Sequence, residues 1–235
     1  LIVRVISDVH SNLHALEAVL GDPGTVADVT VCLGDVVGYG AFPSECVDVV
    51  RGTAGVVVAG NHDAGAAGLE PLDRFSPFAG RAVLWTGGRL SGPDLAWLSG
   101  LPLIATLEDL VLCHSQPADP SSFEYVDSGR KALEALEAHP GRVLLTGHTH
   151  VPALWDPRGI PSQAASGVLE PPCLIAAGSV GQPRDGDPRA ACLLIDTDLG
   201  TWRHVRVAYD IGAAAAAILA AGLPGFLAAR LYEGR

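Results

Sequence analysis

Five short polar motifs, each starting where an apolar run stops, set the strongest constraint on how this 235-residue chain folds. They are Asp8-Val9-His10, Gly34-Asp35, Gly60-Asn61-His62-Asp63, His114 and Gly147-His148-Thr149-His150. Together they offer carboxylates, an amide oxygen and imidazoles. Hard and borderline divalent metals choose that mixed donor set. The donors are spread from residue 8 to residue 150. They meet only in a fold that brings several strand ends to one place.

The rest of the chain supplies such a fold. Leu1–Ser7, Val29–Leu33 and Val56–Ala59 are rich in β-branched residues and read as buried strands. Apolar spacing predicts a helix over Leu13–Leu20, capped by Ser11 or Asn12, and a second from Pro43 to Val50. Alternating strands and helices imply right-handed crossovers and a parallel sheet. Open sheets of this kind place ligand sites at the carboxyl ends of their strands. Further along, Pro77–Ser99 reads as helical, with Leu84, Trp85, Leu95, Trp97 and Leu98 facing a core. Leu103–Thr106 and Leu110–Cys113 flank a hairpin turn at Glu108-Asp109. A helix is predicted over Ser128–His139 and strands over Arg142–Thr146, Val151–Trp155, Cys173–Ala177, Ala190–Asp196 and Thr201–Val207. The tail, 209–235, reads as helical and packed on the rest. No linker or repeat divides the chain, so residues 1–235 read as one α/β domain, two sheets face to face with helices outside.

Composition narrows the function. A formal charge of −11 disfavours a polyanionic partner, and no basic stripe marks a nucleic-acid face. A small phosphorylated substrate stays compatible, because a local site can be positive on an acidic protein. Cys32, Cys46, Cys113, Cys173 and Cys192 are odd in number and form no Cys-x-x-Cys, which reads as free core thiols in a reducing cytoplasm. Leu1–Ile6 is too short for a signal peptide and has no basic start, although the first residue is not Met, as in a trimmed chain. Ile211–Ala229 carries no charge, but Gly222, Pro224 and Gly225 break it into two packed helices rather than a membrane span.

Taken singly, the motifs are weak; an Asp-x-His or a Gly-Asp is usually a turn. Asp8 and His10 stand two apart at the end of a strand. Asp35 has two oxygens and can bridge two cations. Asn61 offers a neutral oxygen, and His62 beside it would face the substrate as proton donor or as electrostatic partner. His148 and His150, two apart, suit two adjacent metals. The loop Gly178–Arg189 fits neither a P-loop nor a dinucleotide fingerprint. Its Arg184 either reaches a phosphate oxygen or pairs with Asp185 or Asp187. His14, His139 and His204 fall outside the motifs and receive no role.

In this order the motifs resemble the calcineurin-like metallophosphoesterase superfamily. Gly178–Arg189 and Gly222-Leu-Pro-Gly225 look like its bacterial branch of small stand-alone phosphoesterases. The resemblance implies a four-layer αββα sandwich and a dinuclear metal centre. One ion would be held by Asp8, His10, Asp35 and His150. The second would be held by Asp35, Asn61, His114 and His148, and His62 would sit over the scissile phosphate. Protein Ser/Thr phosphatases of the superfamily continue Gly-Asp with Asp-Arg-Gly. Here Val36-Val37-Gly38-Tyr39-Gly40 follows, so the Asp that orients the active histidine and the Arg that grips phosphate have no match. Ser115 stands where Gly commonly follows the ligand His114.

The expected activity is therefore hydrolysis of a monoester or diester bond in a small, nucleotide-like substrate. Two divalent ions, of Mn, Fe, Zn, Ni or Co, would share a hydroxide that attacks phosphorus in line. Three other readings stay open on the same fold: a protein Ser/Thr phosphatase, a dinucleoside-polyphosphate hydrolase, and a binding module without catalysis. Substrate choice is expected to lie in the loops around Tyr39, Gly65–Phe78 and Gln116–Tyr125.

Overall fold

A computed structural model describes residues 1–162 and 164–235. In chain order these form β1 (Ile2–Ile6), α1 (Leu13–Gly21), β2 (Val29–Cys32), α2 (Pro43–Thr53), β3 (Ala54–Val57) and α3 (Asn61–Ala66). Next come α4 (Pro77–Gly87), α5 (Gly92–Ser99), β4 (Ile104–Leu107), β5 (Leu110–Cys113), α6 (Gly129–Ala138) and β6 (Val143–Thr146). Then follow β7 (Ala153–Trp155), β8 (Pro161–Ser162), β9 (Ser166–Val168), β10 (Cys173–Ala176), β11 (Ala190–Asp196), β12 (Thr201–Val207), α7 (Ile211–Ala220) and α8 (Gly225–Glu233).

Two mixed sheets result, each of six described strands. The first runs β3-β2-β1-β11-β12-β9 and the second β4-β5-β6-β10-β7-β8. The first sheet is parallel across β1, β2 and β3, and its other half is antiparallel. In the second, β5, β6 and β10 run parallel at the centre, with antiparallel strands outside.

Strand periodicity explains why the sheets stack. Val143 and Leu145 of β6 and Cys173 and Ile175 of β10 point into the inter-sheet core, with Val3, Val5 and Leu193 opposite. The intervening Leu144 and Leu174 point outward against Ala132, Ala135 and Leu136 of α6. Successive side chains on a strand face opposite sides, so apolar residues at every position mean that both faces are covered. Helices α1 and α2 cover the outer face of the first sheet through Leu16, Val19, Cys46 and Val47. This is the four-layer αββα sandwich. The five cysteines are free and buried. Among the described residues no helix is long and apolar enough to cross a membrane.

The tail is two helices packed on each other and on α4, around Tyr39 and Leu227. Three readings of the sequence change. Pro77–Ser99 is two helices, because a capping box at Ser91 and Asp94 starts α5 afresh. Leu84 faces solvent at 62% exposure, since Ala79, Ala82 and Val83 carry the buried side of α4. The short elements α3, β8 and β9 lie in segments read as motif or loop.

Candidate metal centre

The five motifs converge. Each begins within three residues of the end of β1, β2, β3, β5 or β6, at the carboxyl edge of one sheet or the other. There the backbone departs from the pleat. Asp8, His10, Asp35, His148 and His150 have φ of 53°, 49°, 51°, 65° and 61°. Left-handed conformations are uncommon for residues with a Cβ. They persist where the surroundings over-determine them, which is common at functional sites. At Asp8 and His10 they take the chain off the pleat directly after β1.

Backbone carbonyls fix four imidazoles. His10 Nδ1 lies 3.2 Å from the Val37 carbonyl, His114 Nδ1 2.8 Å from that of Leu33, and His150 Nδ1 2.6 Å from that of Gln182. His148 is turned the other way, with Nε2 2.9 Å from the Phe123 carbonyl. A carbonyl only accepts, so these nitrogens carry the hydrogens and donate. The remaining nitrogens point at one another. His10 and His150 meet Nε2 to Nε2 at 3.1 Å, and His114 Nε2 meets His148 Nδ1 at 3.0 Å. Two lone pairs at such distances repel unless a cation or proton lies between them. Ligands that share one ion at about 2.1 Å would stand about 3–3.5 Å apart. The outer hydrogen bonds are the kind that orient metal-binding histidines.

The oxygen donors complete two groups. Asp8 Oδ1 is 3.2 Å from His150 Nε2 and 3.8 Å from His10 Nε2. Asp35 Oδ2 is 3.5 Å from His10 Nε2 and 3.4 Å from His114 Nε2, so it stands between the groups. That oxygen and Asn61 Oδ1 are buried without a hydrogen-bond partner. The compact sets are Asp8, His10 and His150; Asp35, His114 and His148; and His10, Asp35 and His62. This donor chemistry fits divalent cations.

Burial sets the charge states. It pushes His10 and His150 well below the usual imidazole range and His148 to about 3. These rings are neutral donors near pH 7. Burial alone would push Asp35 up, but His114 and His62 outweigh it and hold the carboxyl well below its ordinary range. Burial also lowers His114, yet Asp35 beside it raises that ring to about 9.

Two further residues shape the site. Asp63 is buried and accepts N–H bonds from Val37 at 3.1 Å and Gly60 at 3.0 Å. It ties the Gly34-Asp35 turn to the start of α3. Gly60 lies so close that a Cβ there would meet the Asp35 carboxylate and backbone nitrogen. Gly60→Ala is therefore expected to displace Asp35 and lower metal binding by about 10–100-fold, the usual effect of disturbing a ligand's support. Metal titration followed calorimetrically checks this; unchanged affinity would contradict it.

His62 differs from the other four. Its backbone N–H donates to Asp35 Oδ1 at 2.8 Å, but its buried Nδ1 has no hydrogen-bond partner. Rings hold it instead: Tyr39 at 4.4 Å, His10 at 4.8 Å and Phe75 at 5.3 Å between centroids. Nδ1 faces the backbone of Gly38, where a Cβ would collide with it. The polar cleft over these groups encloses about 200 Å³. Besides His62 it is lined by Asp35, Asn61 and His148.

A model of the calcineurin-like phosphoesterase superfamily domain matches residues 1–199. The chain belongs to this superfamily. An uncharacterized protein of Methanocaldococcus jannaschii is 36% identical over 241 residues, covering 99% of this chain and 98% of that protein. The crystal structure of a metallophosphoesterase from Sphaerobacter thermophilus superposes with a TM-score of 0.90 at 38% identity, covering 100% of this chain and 99% of the other. A hypothetical protein of Pyrococcus horikoshii superposes at 0.80 with 18% identity, covering 100% of this chain and 98% of the other, and shares the fold.

The sequence picked out the residues that the fold gathers and overlooked what surrounds them. All seven ligand candidates and His62 come together. Arg184 also lines the cleft, and its neighbours Asp185 and Asp187 pair instead with Arg206 and Arg189. Phe75 and Tyr125 lie in loops marked as substrate-determining, and Tyr125 stacks on His148 at 4.0 Å. Arg74, in the first of those loops, also lines the cleft, and so does Arg230 of α8, which was unforeseen. His139 and His204 bond carbonyls of Pro117 and Ala176, outside the motif cluster.

Proposed function

We propose that this centre binds two divalent cations and hydrolyses a phosphoester bond in a small, nucleotide-like substrate. The observation that carries the reading is Asp35 Oδ2, buried, free of hydrogen bonds and between two histidine groups. Asp8, His10, Asp35 and His150 would hold one cation. Asp35, Asn61, His114 and His148 would hold the other. Bound there, the ions supply a nucleophile at neutral pH and neutralise the phosphoryl oxygens.

The chain's own residues do the rest. Before a hydroxide binds, Asp8 and Asp35 leave about +2 of the cations' charge uncompensated, by simple counting, which draws phosphate despite the acidic surface. Backbone carbonyls hold the imidazoles in place, so no reorganisation is needed when charge develops. His62 is the one histidine of the cluster not tied to a carbonyl. It is free to donate to the phosphoryl group or the leaving oxygen. The loop after Asp35 lacks the Asp-Arg-Gly of protein phosphatases, and the cleft is small, which favours a small substrate.

The test strips the protein of metal and returns Mn, Fe, Co, Ni and Zn one at a time, with a monoester and a diester as substrates. Metal-dependent turnover is expected. Absence of turnover with every metal, although ions are bound, would contradict the hydrolase reading and favour a binding module.

A further inference from the structure

The loop after β10, Gly178–Arg184, is built directly onto the ligand motifs. The N–H groups of Val180 and Gly181 donate to the carbonyls of Ser7 and Asp8, at 3.0 and 2.9 Å. Gly181 permits that approach, since a Cβ there would meet the Val9 carbonyl. Asn12 Nδ2 donates to the Gly181 carbonyl at 2.9 Å. The loop then brackets His150. The Gln182 carbonyl accepts from His150 Nδ1 at 2.6 Å, and the Arg184 N–H donates to the His150 carbonyl at 3.2 Å. The backbone of Arg184 is thus tied to the chain at Asp8 and at His150, two residues of one ligand set.

Neutral groups hold its side chain. Arg184 Nη2 donates to Gln182 Oε1 at 3.0 Å and lies 3.5 Å from Tyr39 Oη, with Cζ 5.9 Å from the Tyr39 ring centroid. Asp185 and Asp187, which follow it closely in sequence, pair with Arg206 and Arg189 instead. Among the described residues no acidic side chain lies within 4.0 Å of the guanidinium. Nε is buried without an acceptor, and among the described residues Nη1 has none either. Arg184 lines the cleft with Asp35, Asn61 and His62. Burial first, and then the charge of Arg184, lower His150, as a cation close to the centre should.

A purely structural arginine gains little from this arrangement. Its charge stands beside imidazoles rather than carboxylates, and Nε and Nη1 go unused. A phosphoryl group at the metal centre would supply the missing acceptor, and a guanidinium fork matches its oxygens. The loop that follows Asp35, Val36-Val37-Gly38-Tyr39-Gly40, offers no arginine for this purpose.

We propose that Arg184 grips the phosphoryl group bound at the metal centre, donating from Nη1 to one of its non-bridging oxygens. This rests on the hydrolase reading for the place of the phosphoryl group. The Gly178–Arg184 loop is then a rigid arm, anchored on the chain at Asp8 and His150, that sets the guanidinium in position before substrate arrives.

The test measures by calorimetry the affinity of the Mn-loaded protein for inorganic phosphate and, separately, the affinity of the protein for Mn. Arg184→Gln is expected to weaken phosphate about 10–100-fold, the effect of losing one charge-assisted hydrogen bond, and to leave Mn affinity unchanged. Arg184→Lys, which keeps the charge without the fork, is expected to recover part of the phosphate affinity. Arg184→Met replaces the Gln variant if that variant fails to fold. Unchanged phosphate affinity, or no phosphate binding by the loaded parent protein, would overturn the proposal. So would a parallel loss of Mn affinity, which would show an arginine that only braces His150. Failure of the hydrolase reading looks different: no phosphoester is turned over with any metal, while phosphate binding still reports on Arg184.

Discussion

Asp35→Asn is expected to lower phosphoester turnover about a thousandfold or more, beyond the 10–100-fold typical of a ligand's supporting partner. Bound metal should fall from two ions toward one or none. The substitution keeps the side chain's shape and removes half of the local carboxylate charge. It also replaces one of two acceptor oxygens by an NH₂ donor. Oδ1 already receives the His62 backbone N–H at 2.8 Å. If the amide oxygen keeps that bond, the NH₂ group faces His10 Nε2 and His114 Nε2, where a cation is expected. Turnover on a monoester and metal content by mass spectrometry check the result together. A variant that keeps both metals and full turnover would refute Asp35 as the bridge.

His62→Ala is expected to act on chemistry alone. Turnover should fall by about 10²–10⁴-fold, the range of a general acid or base, while both metals stay bound. The reason is the contrast among the imidazoles. His10, His114, His148 and His150 each commit one nitrogen to a backbone carbonyl and turn the other toward a neighbouring donor. His62 makes no such commitment at Nδ1 and is held by the rings of Tyr39, Phe75 and His10. Loss of both metals in this variant would show that His62 is a ligand, consistent with its compact grouping with His10 and Asp35.

The donors were legible because polar residues at the ends of doubly apolar strands have few other reasons to be there. The two stacked sheets were read from the order of strands and helices, whereas the strand order within each sheet came only with the structure. What escaped the sequence was of three kinds. The groups that orient the imidazoles are the carbonyls of Leu33, Val37, Phe123 and Gln182, and a carbonyl carries no side-chain signal. Asp63 was seen as part of its motif, but its bonds to Val37 and Gly60 depend on a turn that only folding creates. Arg230 sits on a short helix where an arginine looks like any solvated residue, and only the packing of α8 brings it to the cleft. The break between α4 and α5 was in fact written in Ser91-Gly92-Pro93-Asp94, a cap followed by a proline in the first turn.

The most direct test of the central claim is anomalous diffraction from crystals of the metal-loaded protein, recorded at the absorption edge of the ion that supports turnover. Two peaks are expected, one among Asp8, His10 and His150 and one among Asn61, His114 and His148, with Asp35 Oδ2 touching both. A single peak, or peaks away from Asp35, would contradict a dinuclear centre bridged by that carboxylate.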